Sequence, residues 1–315
     1  MKKSNKTIID HLPEFFEYLD IEKGLSHNSQ TTYTRQINKF KQWLENNNLE
    51  SLKPHEFTTD HLWQYRVFLS KQYNPNTKQP LKKRSLNYYL ISLRNLLNYF
   101  ADRDIISLPA EKVKLIKEKE DKSIKFLSLK QIEKLLSSPD ISNEIGLRDK
   151  AILEVLFSTG LRVAELVSLN RDQIKADNLD NELEINIVGK GGRIRPVYLS
   201  PRALKALKEY LDARKDQDKA LFISYKGPKK DSRRLTTRSI ENIVKKYIIK
   251  SGVSIPATPH TLRHSFATDL LTQGVDLRIV QEFLGHQNIA TTQIYTHLTS
   301  KKLKDIHKKY HSFGK

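Results

Sequence analysis

Between Glu111 and Lys125 the chain mixes opposite charges and carries few apolar residues, while regularly patterned apolar sequence lies on either side. A stretch of that kind cannot carry a core through itself, so it divides the chain in two. We expect domains at residues 1–105 and 126–300, joined by a linker at 106–125 and followed by a short basic tail at 301–315. The length of 315 residues argues the same way, since single hydrophobic cores stop growing before that size.

The first region reads as helical. Tyr33, Ile37, Phe40 and Leu44 recur at spacings of four and three, and Leu86, Leu90, Leu93, Leu97 and Phe100 do so again further on. Gln30, Thr31, Thr32, Thr34 and Arg35 give the earlier helix a polar face, and Lys82, Lys83, Arg84 and Arg94 decorate the start and one side of the later one. Thr32, Arg35, Lys82, Lys83, Arg84 and Arg94 are therefore candidate phosphate contacts, although ordinary solvated faces carry the same residue types.

Composition narrows the partner. Lys and Arg number 55 against 36 Asp and Glu, giving a formal charge of +19 and a pI of about 9.7, and an excess of that size suits a polyanion, nucleic acid first. A merely solvated lysine-rich surface is the plainer alternative. The hydrophobic fraction is 38% and mean hydropathy −0.58, with no apolar run near eighteen residues, so no membrane span is expected. Ile8 and Ile9 are followed at once by Asp10 and His11, so no secretory apolar segment develops and a cytoplasmic location is expected. The absence of cysteine excludes disulfides, thiolate metal sites and a cysteine nucleophile.

The second region opens at Ser128, which with Gln131 forms a capping box ahead of Ile132, Leu135 and Leu136. A helix through Ala151, Ile152, Val155 and Leu156 stops at Thr159-Gly160, and a short one restarts near Arg162. Leu183, Ile185 and Ile187 alternate with polar residues, and after Gly189-Lys190-Gly191-Gly192 an extended run passes through Ile194, Val197 and Leu199, predicting a β-hairpin with Lys190 at its turn. Asp177, Asp180 and Glu182 lack the glycine and spacing of a calcium loop and read as a polar turn. Ser200-Pro201, Thr237, Thr258-Pro259 and Asp276 each open a further helix; that from Thr258 carries His260 and Arg263 and ends near Gly274, and that from Asp276 ends at Gly285. Tyr295 falls on a last helix from Ala290 to about Leu298. The fold class expected is mainly α with a small β-sheet.

His260 and Arg263 lie three residues apart on one helix and can address a single anion, and Arg162 and Glu165 repeat that spacing. Arginine suits a phosphodiester because its planar fork donates two parallel hydrogen bonds and its charge persists at any physiological pH. Taken singly, each residue is weak evidence, since an arginine at a helix start is usually a surface ion-pair partner and a lone histidine is more often structural.

Taken together they are more specific. His260-Thr261-Leu262-Arg263-His264 with Ala267-Thr268, Leu284-Gly285-His286, and Thr291-Thr292 with Tyr295 nine residues beyond His286 resemble the signature of the tyrosine recombinases, the phage integrase family. Upstream, Thr159-Gly160-Leu161-Arg162 with Glu165-Leu166, and Gly189-Lys190-Gly191-Gly192, resemble that family's first arginine motif and hairpin lysine. The resemblance runs from about Phe126 to Leu298, and the helical region before it is similar, more loosely, to the core-binding domain of the Xer-like and phage-integrase branches.

The resemblance implies a helical DNA-binding domain followed by a catalytic domain, and a site-specific recombinase needing no metal and no ATP or other cofactor. It implies that Tyr295 attacks a phosphate to leave a 3′-phosphotyrosine, that Arg162, Arg263 and His286 hold the transition-state charge, that Lys190 protonates the departing 5′ oxygen, that His260 handles the proton at the nucleophile, and that Glu165 buttresses the site. The implied partner is double-stranded DNA, bound by a homotetramer, or a heterotetramer with a related recombinase, on two sites. In the family the segment after the nucleophile packs on a neighbouring subunit, a role that falls here to 301–315. Short length without an extra N-terminal arm-binding domain favours an Xer-like task, chromosome dimer resolution in the nucleoid with a DNA translocase as activator. An integrase or transposase of a mobile element, a type IB topoisomerase-like nicking and resealing enzyme, and a DNA-binding protein that never cuts remain as alternatives.

Overall fold

The computed structural model describes residues 1–74, 77–117, 125–174, 183–189, 192, 194–226 and 233–285. They fall into two compact units, Met1–Asp121 and Lys122–Lys315. As the sequence predicts, the protein is mainly helical with a small β-sheet, which among the described residues has two strands.

The first unit is built from α1 (Leu12–Ile21), α2 (His27–Asn46), α3 (Thr59–Ser70) and α4 (Lys83–Asp102). The apolar stripes of α2 and α4 face one another, and Phe15, Phe40, Trp43, Tyr65, Tyr99 and Phe100 are buried between the helices. Phe40 meets Tyr65 edge-on with 4.9 Å between ring centres, a geometry that adds quadrupole attraction to the burial.

The expected linker is packed over its first part, which is a correction. Ala110 and Val113 are buried in this unit's core around a single 3-10 turn at Ala110–Lys112. Polar side chains hold the rest: Asn87 exchanges two hydrogen bonds with the backbone of Ile116, and the guanidiniums of Arg94 and Arg66 donate to the carbonyls of Val113 and Lys114. A segment poor in apolar residues is thus fastened by hydrogen bonds, which hydropathy does not register.

In the second unit, α5 (Leu129–Leu136) begins at the Ser128 capping box, where Ser128 N donates to Gln131 Oε1 at 2.9 Å. Helix α6 (Glu144–Thr159) runs through the centre, with Ala151, Ile152, Leu153, Val155 and Leu156 at most 1% exposed. The helix is buried along most of its length, Arg148, Asp149 and Glu154 included, because α5, α8 (Pro201–Ala213), α9 (Thr237–Lys250), α10 (Pro259–Gln273) and the hairpin all pack on it. The hairpin pairs β1 (Leu183–Val188) antiparallel with β2 (Ile194–Leu199), setting Ile185 opposite Val197 and Ile187 opposite Arg195. Ile194 is exposed, so the inward series on β2 is Arg195, Val197 and Leu199. The turn lysine Lys190 and the carboxylates Asp177, Asp180 and Glu182 lie outside the described residues. Short α7 (Val163–Ser168) follows α6, and α11 (Leu277–Leu284) packs on α10 through a small separate cluster of Ala267, Leu271, Val280 and Leu284. Among the described residues no helix is long and apolar enough to cross a membrane.

Candidate active site

The site is assembled where α6 gives way to α7. Gly160 takes the left-handed conformation that ends α6, with φ +59°, and a β-carbon there would stand 2.5 Å from the Phe266 ring. The sharp turn makes Arg162 the N-cap of α7, and Glu165, three residues on, accepts from the Arg162 backbone N–H at 2.8 Å and from its Nη1 at 2.9 Å. The second terminal nitrogen of Arg162 donates to the carbonyl of Gly285 at 3.0 Å.

Arg263, on α10, is buried and reaches the same place from the other side. One terminal nitrogen donates to the Gly160 carbonyl at 2.5 Å and the other to the Leu284 carbonyl. Arg162 and Arg263 therefore rest on consecutive carbonyls at the C-terminus of α11, whose helix dipole favours positive charge there. His260, one turn before Arg263 and exposed, is held below its ordinary pKa, first by partial desolvation and then by the charges of Arg263 and Arg162. His264 is lowered likewise, by burial, His260 and Arg263.

One member of the cluster was not singled out from the sequence. Arg195 donates from Nη1 and Nη2 to the two oxygens of Glu165 at 3.0 and 2.8 Å, and from Nε to the Phe283 carbonyl at 3.2 Å. Alternation on β2 was the available signal: the face that buries Val197 and Leu199 also points Arg195 inward, where a charge requires a partner. Burial alone pushes the Glu165 carboxyl up, but hydrogen bonds from Arg195 and from the Arg162 backbone and side chain outweigh it and leave the group below its ordinary range.

The structure thus brings together Arg162, Glu165, His260 and Arg263. Lys190, His286 and Tyr295 lie outside the described residues. In the first unit, Lys82, Lys83 and Arg84 are exposed at the N-terminus of α4, where backbone N–H groups already present positive charge. Arg35 is exposed beside a cleft of about 330 Å³ lined by Lys39, Gln72, Tyr73 and Tyr89. Two expected contacts are spoken for internally: Arg94 points at the Val113 carbonyl, and the Thr32 hydroxyl donates to the carbonyl of Asn28 at 2.9 Å. Thr31 and Thr34 bond back in the same way, as threonines within helices often do.

Residues 125–302 match the family model described as the phage integrase family, and residues 12–104 match the phage integrase N-terminal SAM-like domain. The tyrosine recombinase XerD of Listeria innocua is 38% identical, covering 96% of this chain and 98% of its own length. The tyrosine recombinase XerC of Natranaerobius thermophilus is 35% identical, with 96% and 98% covered. Among solved structures, a XerH site-specific recombinase in a post-cleavage complex with palindromic difH substrate aligns with a TM-score of 0.69 at 23% identity, covering 96% of this chain and 90% of that one.

Proposed function

The chain belongs to the phage integrase family of site-specific tyrosine recombinases, which cleave and rejoin DNA, and on that premise we propose that it does so with Tyr295 as nucleophile, in an Xer-type role. In this reading the Tyr295 hydroxyl attacks the scissile phosphate of double-stranded DNA, a 3′-phosphotyrosine forms, and the 5′ oxygen leaves with a proton from Lys190. Arg162, Arg263 and His286 hold the negative charge of the transition state. His260, whose pKa is held below the ordinary histidine value by partial desolvation and by the Arg263 and Arg162 charges, takes the phenol proton. Attack of the freed 5′-hydroxyl on the phosphotyrosine reverses the step, so rejoining consumes no ATP.

The observation that carries the reading is the convergence of Arg162 and Arg263 on the carbonyls of Gly285 and Leu284. Two guanidiniums held side by side repel each other, an arrangement that suits a site built for an anion, and fixed donors of this kind stabilise charge without reorganisation during reaction. Arg162 remains partly exposed, with 32% of its side chain open, and so can meet a ligand.

The exposed basic start of α4 and Arg35 are proposed to contact DNA phosphates in the first unit. Assembly is proposed as a tetramer on two DNA sites, of this chain alone or with a related recombinase. Its task would be chromosome dimer resolution in the nucleoid, triggered by a DNA translocase. Similarity at nearly full length to proteins named XerD and XerC supports this role. The test is Tyr295→Phe: site-specific binding should persist while the covalent protein–DNA adduct disappears, and an adduct of undiminished yield would refute the assignment. Sequencing DNA trapped on Tyr295 in cells should return a single chromosomal site; scattered insertion sites would point to a mobile element.

A further inference from the structure

Glu165 sits 6% exposed beneath the site and receives four donors: Arg162 N and Nη1, and Arg195 Nη1 and Nη2. Its two arginine partners are placed differently. Arg195 is 12% exposed and fully engaged on its inner side, with Nε on the Phe283 carbonyl. Arg162 is 32% exposed and gives Glu165 only one guanidinium hydrogen bond, with a second going to Gly285. Among the described residues, three of its five guanidinium N–H donors carry no hydrogen bond.

A buried carboxylate facing a single arginine would close on it as a bidentate pair and cancel its charge. Here that bidentate position is taken by Arg195. We propose that Arg195 is a positioning residue that occupies Glu165 and so leaves Arg162 its positive charge and its outward donors for the scissile phosphate, an inference that rests on the recombinase reading above. The three groups carry a net charge of +1 with Arg195 present and zero without it, in surroundings where screening by water is weak. Arg195 also packs closely on the turn that ends α11: a β-carbon on Gly285 would stand 2.9 Å from Arg195 Cδ.

The charge argument makes a prediction that a purely mechanical role does not. Single-turnover cleavage is measured at saturating protein on a nicked duplex that traps the phosphotyrosine, carrying the site recovered from Tyr295. Arg195→Gln should cleave about tenfold or more slowly, and adding Glu165→Gln should recover much of that rate, because the double variant restores the net charge of +1. Arg195→Lys, which keeps the charge with poorer geometry, should stay within about fivefold of wild type. If Arg195 merely ties β2 to α11, the double variant is as slow as Arg195→Gln or slower, and the lysine variant is equally impaired; that result overturns the proposal. Should Arg195→Gln not fold, the lysine variant with and without Glu165→Gln decides by the same comparison. Wild-type protein that forms no Tyr295 adduct would instead sink the recombinase reading itself, before Arg195 is tested.

Discussion

At the scale of single residues, Arg162 and Arg263, the two arginines proposed to hold the phosphate, should respond differently to the same change. Arg263 spans two carbonyls, of Gly160 and Leu284, with two separate terminal nitrogens from a buried position, a reach that the single nitrogen of lysine does not reproduce. Arg263→Lys should therefore lose cleavage and also about 2 kcal/mol of stability, read by denaturant unfolding. Arg162→Lys should lose cleavage as severely while its unfolding midpoint barely moves, because that side chain is partly exposed. Equal stability losses would show that both arginines are structural. For Lys190→Ala, loss of the proton donor should slow cleavage by roughly a hundredfold or more, and a 5′-bridging sulfur, which departs without protonation, should restore it. No advantage for the sulfur substrate would exclude Lys190 as the acid. Much of this chemistry was legible in the sequence, since i, i+3 spacing on helices placed Arg162 with Glu165 and His260 with Arg263. Arg195 was harder to read, because Ile194 looks like the natural inward residue of its strand and competes with the alternation through Val197 and Leu199; the register with Ile187 shows that the arginine turns in.

At the scale of elements, helix ends organise the site, and their sequence signals were legible: Gly160 and Gly285 close α6 and α11 in left-handed turns, with φ +59° and +60°. Gly160→Ala meets both that conformation and the Phe266 ring, and should cost about 1–3 kcal/mol, read from the unfolding midpoint. Helix α10 adds a pH dependence. His260 and His264 are both depressed in the folded chain, so as pH falls below about 6.5 the unfolded chain takes up their protons first. Stability is full above that pH and declines below it, and His264→Gln should flatten the decline in thermal midpoints between about pH 6.5 and 5. An unchanged slope would assign the acid sensitivity elsewhere. What the sequence concealed at this scale was the packing of the segment after Ile106, which depends on side chains distant in the chain, Arg66, Asn87 and Arg94, reaching its carbonyls.

At the scale of the whole molecule, the charge of +19 should make DNA affinity fall steeply and linearly on a log–log plot against salt. Replacing Lys82, Lys83 and Arg84 by Gln should reduce that slope by up to about three, roughly one per lost phosphate contact; an unaltered slope would remove them from the interface. Truncation after Leu298 should reduce pairing of two DNA sites more than binding to one, and an equal loss in both would assign the tail to phosphate contact alone. The separate cluster under α11 has a further consequence. Its fully buried apolar residues are Ala267, Leu271, Val280 and Leu284, a small set beside the large core of the second unit in which α6 lies. Cooperative opening therefore divides unevenly: amide protons of α11 should exchange with solvent by local opening of that helix, while those of α6 wait for the unit to unfold.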